Sequence, residues 1–501
     1  MKYPIGIQDF RKLREGGYVY VDKTEHIHRI ITGSSAFFLS RPRRFGKSLL
    51  LSTMNELYSG SKELFQGLWI DEHWDFEAER RPVIWIQFAG LAYKKRGLGE
   101  VLSEHLDHLA TGLAVQLDPG TPQDKFRQLI REAGKAQKVV VLIDEYDKPI
   151  IDFLDDTAQA GANRDELKSF YSVLKDSDPH LELVFITGVS AFSKVSIFSD
   201  LNHLENLTLS NGAATLAGIT QGELENYFSE RLADFDGTEV RRWYNGYRWR
   251  GEETLYNPFS ILNFLKDGEY NNYWFATGTP TFLMKLLKER ERYQLPDLRT
   301  TVDYLLSFDH ERLDPISILF QTGYLTIREY VREDRLYTLD FPNLEVRYSF
   351  DKLLLEEYLG RPEAGTGILV VDLRNALQRN DIETLVRLLN SSLAGIPYQL
   401  WQGQAEHFYH AVVHLTFRLI GTYIRSEVNS AHGRCDAIVE TEHYIYAFEF
   451  KRDRSAAAAI EQIVQKGYLL PYADSPKQRL AVGINFSTAQ RQIDDWKVVE
   501  H

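Results

Sequence analysis

The stretch that decides the fold is SAFFLSRPRRFGKSLLLSTMNELY, residues 35–58, in which an apolar run passes through a basic loop into a helical pattern. A phosphate cradle requires backbone N–H groups at a helix N-terminus, a lysine that reaches the phosphates and a hydroxyl that binds Mg²⁺. Gly46, Lys47 and Ser48 supply the end of this pattern between a strand and a helix. Arg41 occupies the position of the usual first glycine, so a basic turn that caps a helix explains the loop alone equally well.

A second polar feature follows an apolar run further along the chain. The run KVVVLIDEY, residues 138–146, leads into the adjacent carboxylates of Asp144 and Glu145. Carboxylates at the end of a buried strand can hold a Mg²⁺-bound water and orient the water that attacks a phosphate. The alternative is a strand that merely ends in acidic residues. It becomes less favoured because the basic loop precedes the acidic pair in the expected order. The later run LELVFITGVS ends in Thr187 and Ser190, which could place a polar sensor between loop and acids.

Four short runs have the composition of buried parallel strands. They are rich in β-branched or aromatic residues, and they are SAFFLS (35–40), PVIWIQFAG (82–90), KVVVLIDEY (138–146) and LELVFITGVS (181–190). Longer amphipathic stretches such as LGEVLSEHLDHLATGLAVQL separate them. Strands that alternate with helices in this way predict an α/β fold with a parallel sheet. We assign it to residues 1–215.

The middle of the chain has a different texture, with aromatic-rich helical segments followed by shorter apolar runs. ISILFQTGYLTIREY and RLYTLDFPNLEVRYSF are interpreted as strands around turns. These patterns predict a helical lid and a small mixed domain over residues 216–365. The aromatic residues Trp243, Tyr244, Tyr247 and Trp249 are typical of a packed core, with stacking on nucleic-acid bases as the alternative.

The C-terminal region, assigned to residues 366–501, contains the predicted hairpin CDAIVETEHYIYAFEFKRD. If its turn centres on residues 442–443, Asp436 lies opposite Glu449, and cross-strand partners share one face of a sheet. Lys451 shares that face because side chains alternate along a strand. Two carboxylates and a lysine on one patch can hold a divalent metal and position a water. A surface ladder with a Glu–Lys contact is the alternative.

Two further elements follow the hairpin. The stretch AAAAIEQIVQKGYLL predicts a helix on which Gln462 and Lys466 lie one turn apart, on a face that could meet the carboxylate patch. LAVGINF is interpreted as a final strand.

Composition and charge limit the function classes. The chain has 501 residues, 44% hydrophobic and 26% charged, and its net charge is −13. This charge argues against non-specific coating of nucleic acid but permits a local basic groove. A lone cysteine, Cys435, excludes an internal disulfide and fits a reducing compartment. No apolar run approaches the length of a membrane span. We therefore expect a cytoplasmic protein that does not bind membranes.

Several of these motifs resemble those of a bacterial family, the AAA-ATPase-like proteins that carry a C-terminal nuclease domain of the PD-(D/E)xK superfamily. The motifs are YVDKT (20–24), RPRRFGKS (41–48), LIDEYDKP (142–149), FITGVSAFSKVSIFSDLNHLENLTL (185–209), WYNGYRW (243–249) and YNPFSILNFL (256–265). The resemblance implies a P-loop NTPase sheet, a helical and mixed middle region and a PD-(D/E)xK α/β domain. It also implies ATP and Mg²⁺ as cofactors.

The resemblance assigns roles to residues of the first region. The residues that would bind ATP are Arg43, Arg44, Phe45, Gly46, Lys47, Ser48 and Asp144. Ser48 and Asp144 would bind Mg²⁺, and Glu145 would be catalytic in hydrolysis. By analogy with ATPases whose arginines complete a neighbouring subunit's site, part of the arginine cluster could imply a homo-oligomer.

The hairpin and its trailing helix resemble the PD-(D/E)xK core, with Tyr468 as the tyrosine of that helix. Asp436, Glu449 and Lys451 would then be catalytic, with both carboxylates as metal ligands. An acidic residue on the preceding helix completes such sites, and we assign it to Glu406, with Glu427 as the alternative.

The prediction for the whole chain is an ATP-regulated, metal-dependent DNA endonuclease with a role in mobile-element handling or defence. The alternative is a nucleotide-dependent switch whose C-terminal domain binds nucleic acid or a partner without cleavage. A pure binding module would not need the set Asp436, Glu449 and Lys451, which is why we favour the nuclease.

Overall fold

A computed structural model provides the structure of the chain. It describes residues 1–190, 197–198, 201, 203–275, 281–290, 295, 297–306, 314–360, 365–394, 405–421, 425–427 and 435–501, without the side chains of 281–282, 405–410 and 425–427. The chain forms two compact units, Met1–Gly278 with Pro296–Val346 and Thr279–Leu295 with Arg347–His501. The three-part division predicted from sequence stays a prediction. Within the described ranges, no helix is both long and apolar enough to cross a membrane.

The helices and strands are numbered separately in chain order. The helices are α1 Phe10–Glu15, α2 Thr24–Ile31, α3 Lys47–Ser59, α4 Tyr93–Arg96, α5 Leu98–Gly112, α6 Pro122–Ala133, α7 Lys148–Ile151, α8 Thr157–Asp176, α9 Gln221–Leu232, α10 Gly237–Tyr244, α11 Pro258–Asp267, α12 Thr281–Glu289, α13 Val302–Leu305, α14 Pro315–Thr322, α15 Leu344–Leu359, α16 Thr366–Gln378, α17 Ile382–Ala394, α18 Ala405–Ile420 and α19 Ala456–Gln465. The strands are β1 Ala36–Ser40, β2 Val83–Gln87, β3 Val139–Asp144, β4 Leu181–Gly188, β5 Glu205–Asn206, β6 Ile219–Thr220, β7 Leu255–Tyr256, β8 Leu298–Thr301, β9 Thr326–Val331, β10 Leu336–Asp340, β11 Arg425–Glu427, β12 Ala437–Glu440, β13 Tyr444–Arg452, β14 Gln478–Ser487 and β15 Gln492–Glu500.

The first unit is built on a parallel five-stranded sheet with the order β2-β3-β4-β1-β5. The four runs predicted as strands are β1 to β4, and every residue of β1 and β3 is buried. This confirms the predicted α/β fold class. Because β4 lies between β1 and β3, the polar end of β4 separates the basic loop after β1 from the acidic pair after β3. The carboxyl ends of parallel strands meet at one edge of the sheet, so all three polar features share that edge.

Helix α3 starts directly from the basic loop. Its N-cap is Gly46, whose φ of 94° lies in the left-handed region that favours glycine. A Cβ built at Gly46 would meet no atom within 4 Å, so the backbone there is open. The loop therefore delivers a helix N-terminus with accessible N–H groups, which is the requirement of an anion cradle.

Two elements of the middle region differ from the sequence interpretation. The run ISILFQT, for which the sequence predicts a strand, lies in α14 instead, because Asp314 caps the N-terminus of that helix, Pro315 occupies its first turn and Gly323 ends it at a φ of 90°. The run NLEVRYSF, also interpreted as a strand, opens α15, where the Asn343 side chain accepts a hydrogen bond from the backbone N–H of Val346. Capping signals outweighed the apolar composition in both cases.

The aromatic cluster of the middle region is a packed core. Tyr244, Tyr247 and Trp249 are at most 4% exposed. They pack within the first unit, where the aromatic ring of Phe45 meets those of Tyr247 and Trp249 edge-on. The core interpretation is therefore confirmed for these three residues.

The second unit contains a mixed sheet with the order β11-β12-β13-β14-β15. The predicted hairpin is β12 and β13, paired with Ala437 opposite Phe448, which confirms the predicted register. Helix α19 connects β13 to the parallel strand β14. The interpretation of LAVGINF as the final strand was wrong, because the polar strand β15 follows β14 and pairs with it antiparallel. Its residues are mostly exposed, which hid it from a search for apolar runs.

Candidate functional site

The basic loop and the start of α3 form the floor of a cavity of about 460 Å³ in the first unit. The residues from the loop and α3 that line it include Arg43, Arg44, Phe45, Gly46, Lys47 and Ser48. Apolar side chains supply another part of the wall, among them Ile7, Val19, Leu216, Ile219, Pro258 and Leu262. A cavity with a basic, N–H-rich floor and an apolar wall suits a ligand that has a polyanion at one end and a flat ring at the other.

Lys47 is held in place by the loop from which it emerges. Its Nζ donates hydrogen bonds to the backbone oxygens of Arg41 and Pro42, at 2.9 Å and 3.0 Å. Burial lowers the pKa of the ammonium, and the nearby carboxylates of Asp144 and Glu145 oppose that change. The ammonium has three donors, so these two contacts leave one N–H for a ligand in the cavity.

The acidic pair lies at the predicted edge of the sheet. It is close enough to Lys47 to raise the pKa of that ammonium. Asp144 is buried, and its Oδ1 accepts a hydrogen bond from the hydroxyl of Thr187 at 2.7 Å. Glu145 lines the cavity, and its φ of 54° turns the chain sharply after β3. Burial raises the pKa of Glu145, while Lys47 opposes the change. Thr187, at the polar end of β4, thus contacts Asp144 of the acidic pair.

Asp147 is a third carboxylate of this edge, which the sequence reasoning did not single out. Its Oδ2 accepts hydrogen bonds from the backbone N–H groups of Val189 and Ser190 and from the Ser190 hydroxyl, at 3.0, 2.6 and 2.5 Å. Burial raises the pKa of this carboxyl, and the Ser190 bonds oppose the rise. Asp147 therefore ties the acidic loop to the end of β4.

Arg41, which replaces the first loop glycine, belongs to the core. Its side chain is 0% exposed and donates to the backbone oxygens of Ser40, Thr208 and Ala213 at 2.8–3.0 Å. Its guanidinium carbon lies 4.3 Å from the ring centroid of Trp249. Burial lowers the pKa of Arg41 to about 9. Arg43 and Arg44 are exposed, so of the three arginines only these two face a ligand or a partner.

The backbone oxygen of Arg43 fastens the loop to the middle region. It accepts hydrogen bonds from the indole Nε1 of Trp274 at 3.1 Å and from the side-chain amide of Asn257 at 3.4 Å. The backbone N–H of Trp274 in turn donates to Glu345 at 2.7 Å. The residues that shape the loop are thus more than 200 positions away in sequence.

In the second unit, a compact polar group forms on the face of β13. Glu449 Oε1 accepts hydrogen bonds from Lys451 Nζ at 2.9 Å and from Gln462 Nε2 at 2.6 Å, and Lys451 also donates to Gln462 Oε1 at 2.5 Å. Gln462 reaches Glu449 because Glu449 pairs with Gly483 of β14, where a Cβ would lie 2.3 Å from the Ala456 carbonyl of α19. Only glycine permits the helix to approach this closely.

One oxygen of this group is prepared for a ligand. Glu449 Oε2 is buried and has no hydrogen-bond partner among the described residues. Burial raises the pKa of Glu449, the neighbouring charge of Asp436 raises it further, and Lys451 opposes both. Asp436 is exposed, and its Oδ2 accepts a hydrogen bond from the backbone N–H of Phe450 at 2.8 Å. Two neighbouring carboxylates with an unsatisfied buried oxygen fit a hard divalent cation.

Four further residues were predicted for this site. Glu406 lies on α18 and Glu427 on β11, and both side chains lie outside the described residues. Lys466 is the exposed C-cap of α19, while Tyr468 is buried and its hydroxyl lies 3.4 Å from Gln462 Nε2. In the described part of the chain, no three His, Cys, Asp or Glu side chains group closely enough to hold a metal.

Two parts of the chain match models of known protein families. The model of the family described as "Predicted AAA-ATPase" matches residues 4–198, and that of the PD-(D/E)XK nuclease superfamily matches residues 404–496. A protein of Azotobacter chroococcum mcd 1, "Uncharacterized protein in vnfD 5'region", is 38% identical over 506 residues, covering 98% of each chain. The chain belongs to this family of AAA-ATPase-like proteins with a PD-(D/E)XK nuclease superfamily domain. No solved structure matches it.

Each of the two matched ranges contains one of the two candidate sites. The first match covers β1 to β4, the basic loop and the acidic pair. The second match covers β12 to β14, α19 and the residue before β12, and so includes Asp436, Glu449, Lys451 and Gln462. The name of the relative states no activity.

Proposed function

We propose that this protein binds and hydrolyses ATP in its first unit and cleaves DNA with a divalent metal in its second, with nucleotide regulating the cut. The observation that carries the nuclease half is the buried, unpartnered Oε2 of Glu449, placed beside Lys451 and Gln462. A structural ion pair would satisfy both oxygens, because an unmet buried carboxylate oxygen is costly. The cavity above Lys47 carries the ATPase half.

The residues around the cavity divide into binding and hydrolytic roles. The N–H groups at the start of α3 and the remaining donor of Lys47 would hold the phosphates, and the apolar wall would hold the base. Ser48 and Asp144 would hold Mg²⁺, which neutralises phosphate charge when bound. Glu145 lies on the same cavity and would orient the attacking water, while Thr187 keeps Asp144 in position.

The residues of the second site would act on a phosphodiester. Asp436 and Glu449 would hold the metal, which would supply a nucleophilic hydroxide and stabilise the negative charge that develops on the phosphoryl oxygens. Lys451 lies within hydrogen-bond distance of Glu449 and would position the water or neutralise charge. Gln462 fixes both side chains, since its amide donates to one and accepts from the other.

The test is incubation of the purified full chain with supercoiled plasmid and Mg²⁺ or Mn²⁺, with and without ATP. We expect nicked or linear plasmid that requires the metal and changes in amount with ATP. Glu449→Gln should abolish cleavage, whereas Glu461→Gln, an exposed carboxylate on the same helix as Gln462, should not. ATP hydrolysis with no metal-dependent cleavage of DNA or RNA would instead support the nucleotide-dependent switch.

A further inference from the structure

Lys148 is a cation of the ATP cavity to which the sequence reasoning gave no role. It lines the cavity together with Lys47, Ser48 and Glu145. It is the first residue of α7, and its backbone N–H donates to the carbonyl of Glu145 at 3.0 Å. Lys148 is therefore fixed one turn beyond the residue that would orient water.

The side chain of Lys148 is held only loosely. Its Nζ lies 3.5 Å from Asp152 Oδ2, the same oxygen that accepts from Tyr93 at 2.9 Å and lies 3.1 Å from Lys94 Nζ. Three donors thus share one carboxylate oxygen, and Lys148 is the most distant. A side chain that is 27% exposed, with one long ion pair, can turn toward a ligand at little cost.

Two other cations of the cavity, Lys23 and Lys47, are engaged within the protein, while Arg43 and Arg44 lie on the basic loop and not beside Glu145. Lys23 donates to Glu223 and to the Thr215 carbonyl, and Lys47 already uses two donors on the loop. The guanidinium of Arg44 lies 5.0 Å from the ring of Phe259. Among the described residues lining the cavity, Lys148 is the cation that follows Glu145 on the acidic loop. Phosphoryl transfer needs a cation there, because charge builds on the γ-phosphoryl oxygens.

We propose that Lys148 is a catalytic residue of ATP hydrolysis, contacting the γ-phosphoryl oxygens in the transition state and acting within its own subunit. This inference rests on the proposed ATPase function. The water oxygen bonds to the γ-phosphorus as the bond to the bridging oxygen breaks, and that electron pair leaves with ADP. The water proton passes to Glu145 and then to solvent, which gives ADP and inorganic phosphate. A cation supplied in this way makes a partner's arginine unnecessary.

The experiment compares Lys148→Met and Lys148→Arg with Lys94→Met in the purified full chain. Lys94 shares Asp152 with Lys148 but does not line the cavity, so it is the matched control. The measurements are kcat for ATP at several protein concentrations and the Kd of a fluorescent ATP analogue. We expect Lys148→Met to lower kcat by about 10²–10³-fold with Kd changed by less than about threefold. Lys148→Arg should restore part of the rate, and the wild-type rate per subunit should not depend on concentration.

The outcomes separate this inference from the function on which it rests. A wild-type protein that hydrolyses ATP while Lys148→Met matches it would overturn the role of Lys148 alone. Equal losses of kcat in Lys148→Met and Lys94→Met would show that both lysines act only by supporting the structure around Asp152. A loss of affinity as large as the loss of rate would make Lys148 a ground-state binding residue. A wild-type rate that rises with concentration would place the cation on another subunit, and no hydrolysis at all would overturn both proposals.

Discussion

Replacing Glu345 with glutamine should change how the stability of the first unit depends on pH. Glu345 is 0% exposed, and its Oε1 accepts the backbone N–H of Trp274, whose indole is bonded to the basic loop. Burial raises the pKa of Glu345 to about 7. Glutamine keeps a carbonyl acceptor of the same size but cannot ionise.

The expected size follows from the pKa. Because the pKa of Glu345 is higher in the folded state, its proton favours folding below the ordinary pKa of 4.5, and this contribution is lost as pH rises through about 7. One pKa unit corresponds to about 1.4 kcal/mol, so between pH 5 and pH 8 the ionising carboxyl should cost the wild type about 2.5 kcal/mol. Glu345→Gln should not bear this cost.

The assay is chemical unfolding of wild type and Glu345→Gln at a series of pH values from 5 to 8, followed by tryptophan fluorescence. The quantity to plot is the difference in unfolding free energy between the two proteins. It should move in favour of the variant by about 2–3 kcal/mol as pH rises. Glu333→Gln, an exposed carboxylate on a turn, is the control and should give a flat difference. A flat difference for Glu345→Gln as well would refute the assignment of a buried, readily protonated carboxyl.

The remaining predictions concern the two sites. Lys47→Met should weaken ATP binding by at least about tenfold in equilibrium titration, because the phosphate-facing ammonium is lost, while exposed Lys62→Met should not. Glu145→Gln should keep ATP affinity but lose most hydrolysis, and an equal loss of both would make Glu145 structural. Asp436→Ala should eliminate metal-dependent cleavage with ATP hydrolysis near wild type, and retained cleavage in that variant would remove Asp436 from the site.

Much of the fold could be predicted because its signals are local. The loop after β1 and the acids after β3 lie at the ends of apolar runs, and parallel strands bring such ends to one edge. The hairpin register follows from its length, since Asp436 and Glu449 are equally far from the turn. Where capping competes with composition, as in α14, and where a strand is solvated, as in β15, apolar periodicity gave the wrong element.

The detailed contacts of the two sites depend on residues that are distant in sequence, so local sequence patterns could not predict them. In the sequence, Arg41 looks like a surface charge. In the fold it is buried, because it contacts the ring of Trp249 and the backbone carbonyl of Ala213. Lys148 belongs to the motif LIDEYDKP, yet only the fold shows that it lines the cavity. The sequence predicts Gln462 near the carboxylates, because helical spacing puts it on the face of α19 that could meet them. Its bond to Lys451 needed the packing of α19 over Gly483.

The division of the chain into units bears on how such a protein is inherited. The polypeptide passes from one unit to the other three times, because Thr279–Leu295 belongs to the second unit although the first resumes at Pro296. Within the second unit, Lys288 of that excursion donates to the carbonyl of Glu357. Neither unit is therefore a continuous piece of the gene, and a single recombination event could not exchange one for another. We therefore expect the two units to be inherited together. The relative from Azotobacter chroococcum mcd 1 agrees with this, because it matches 98% of the chain.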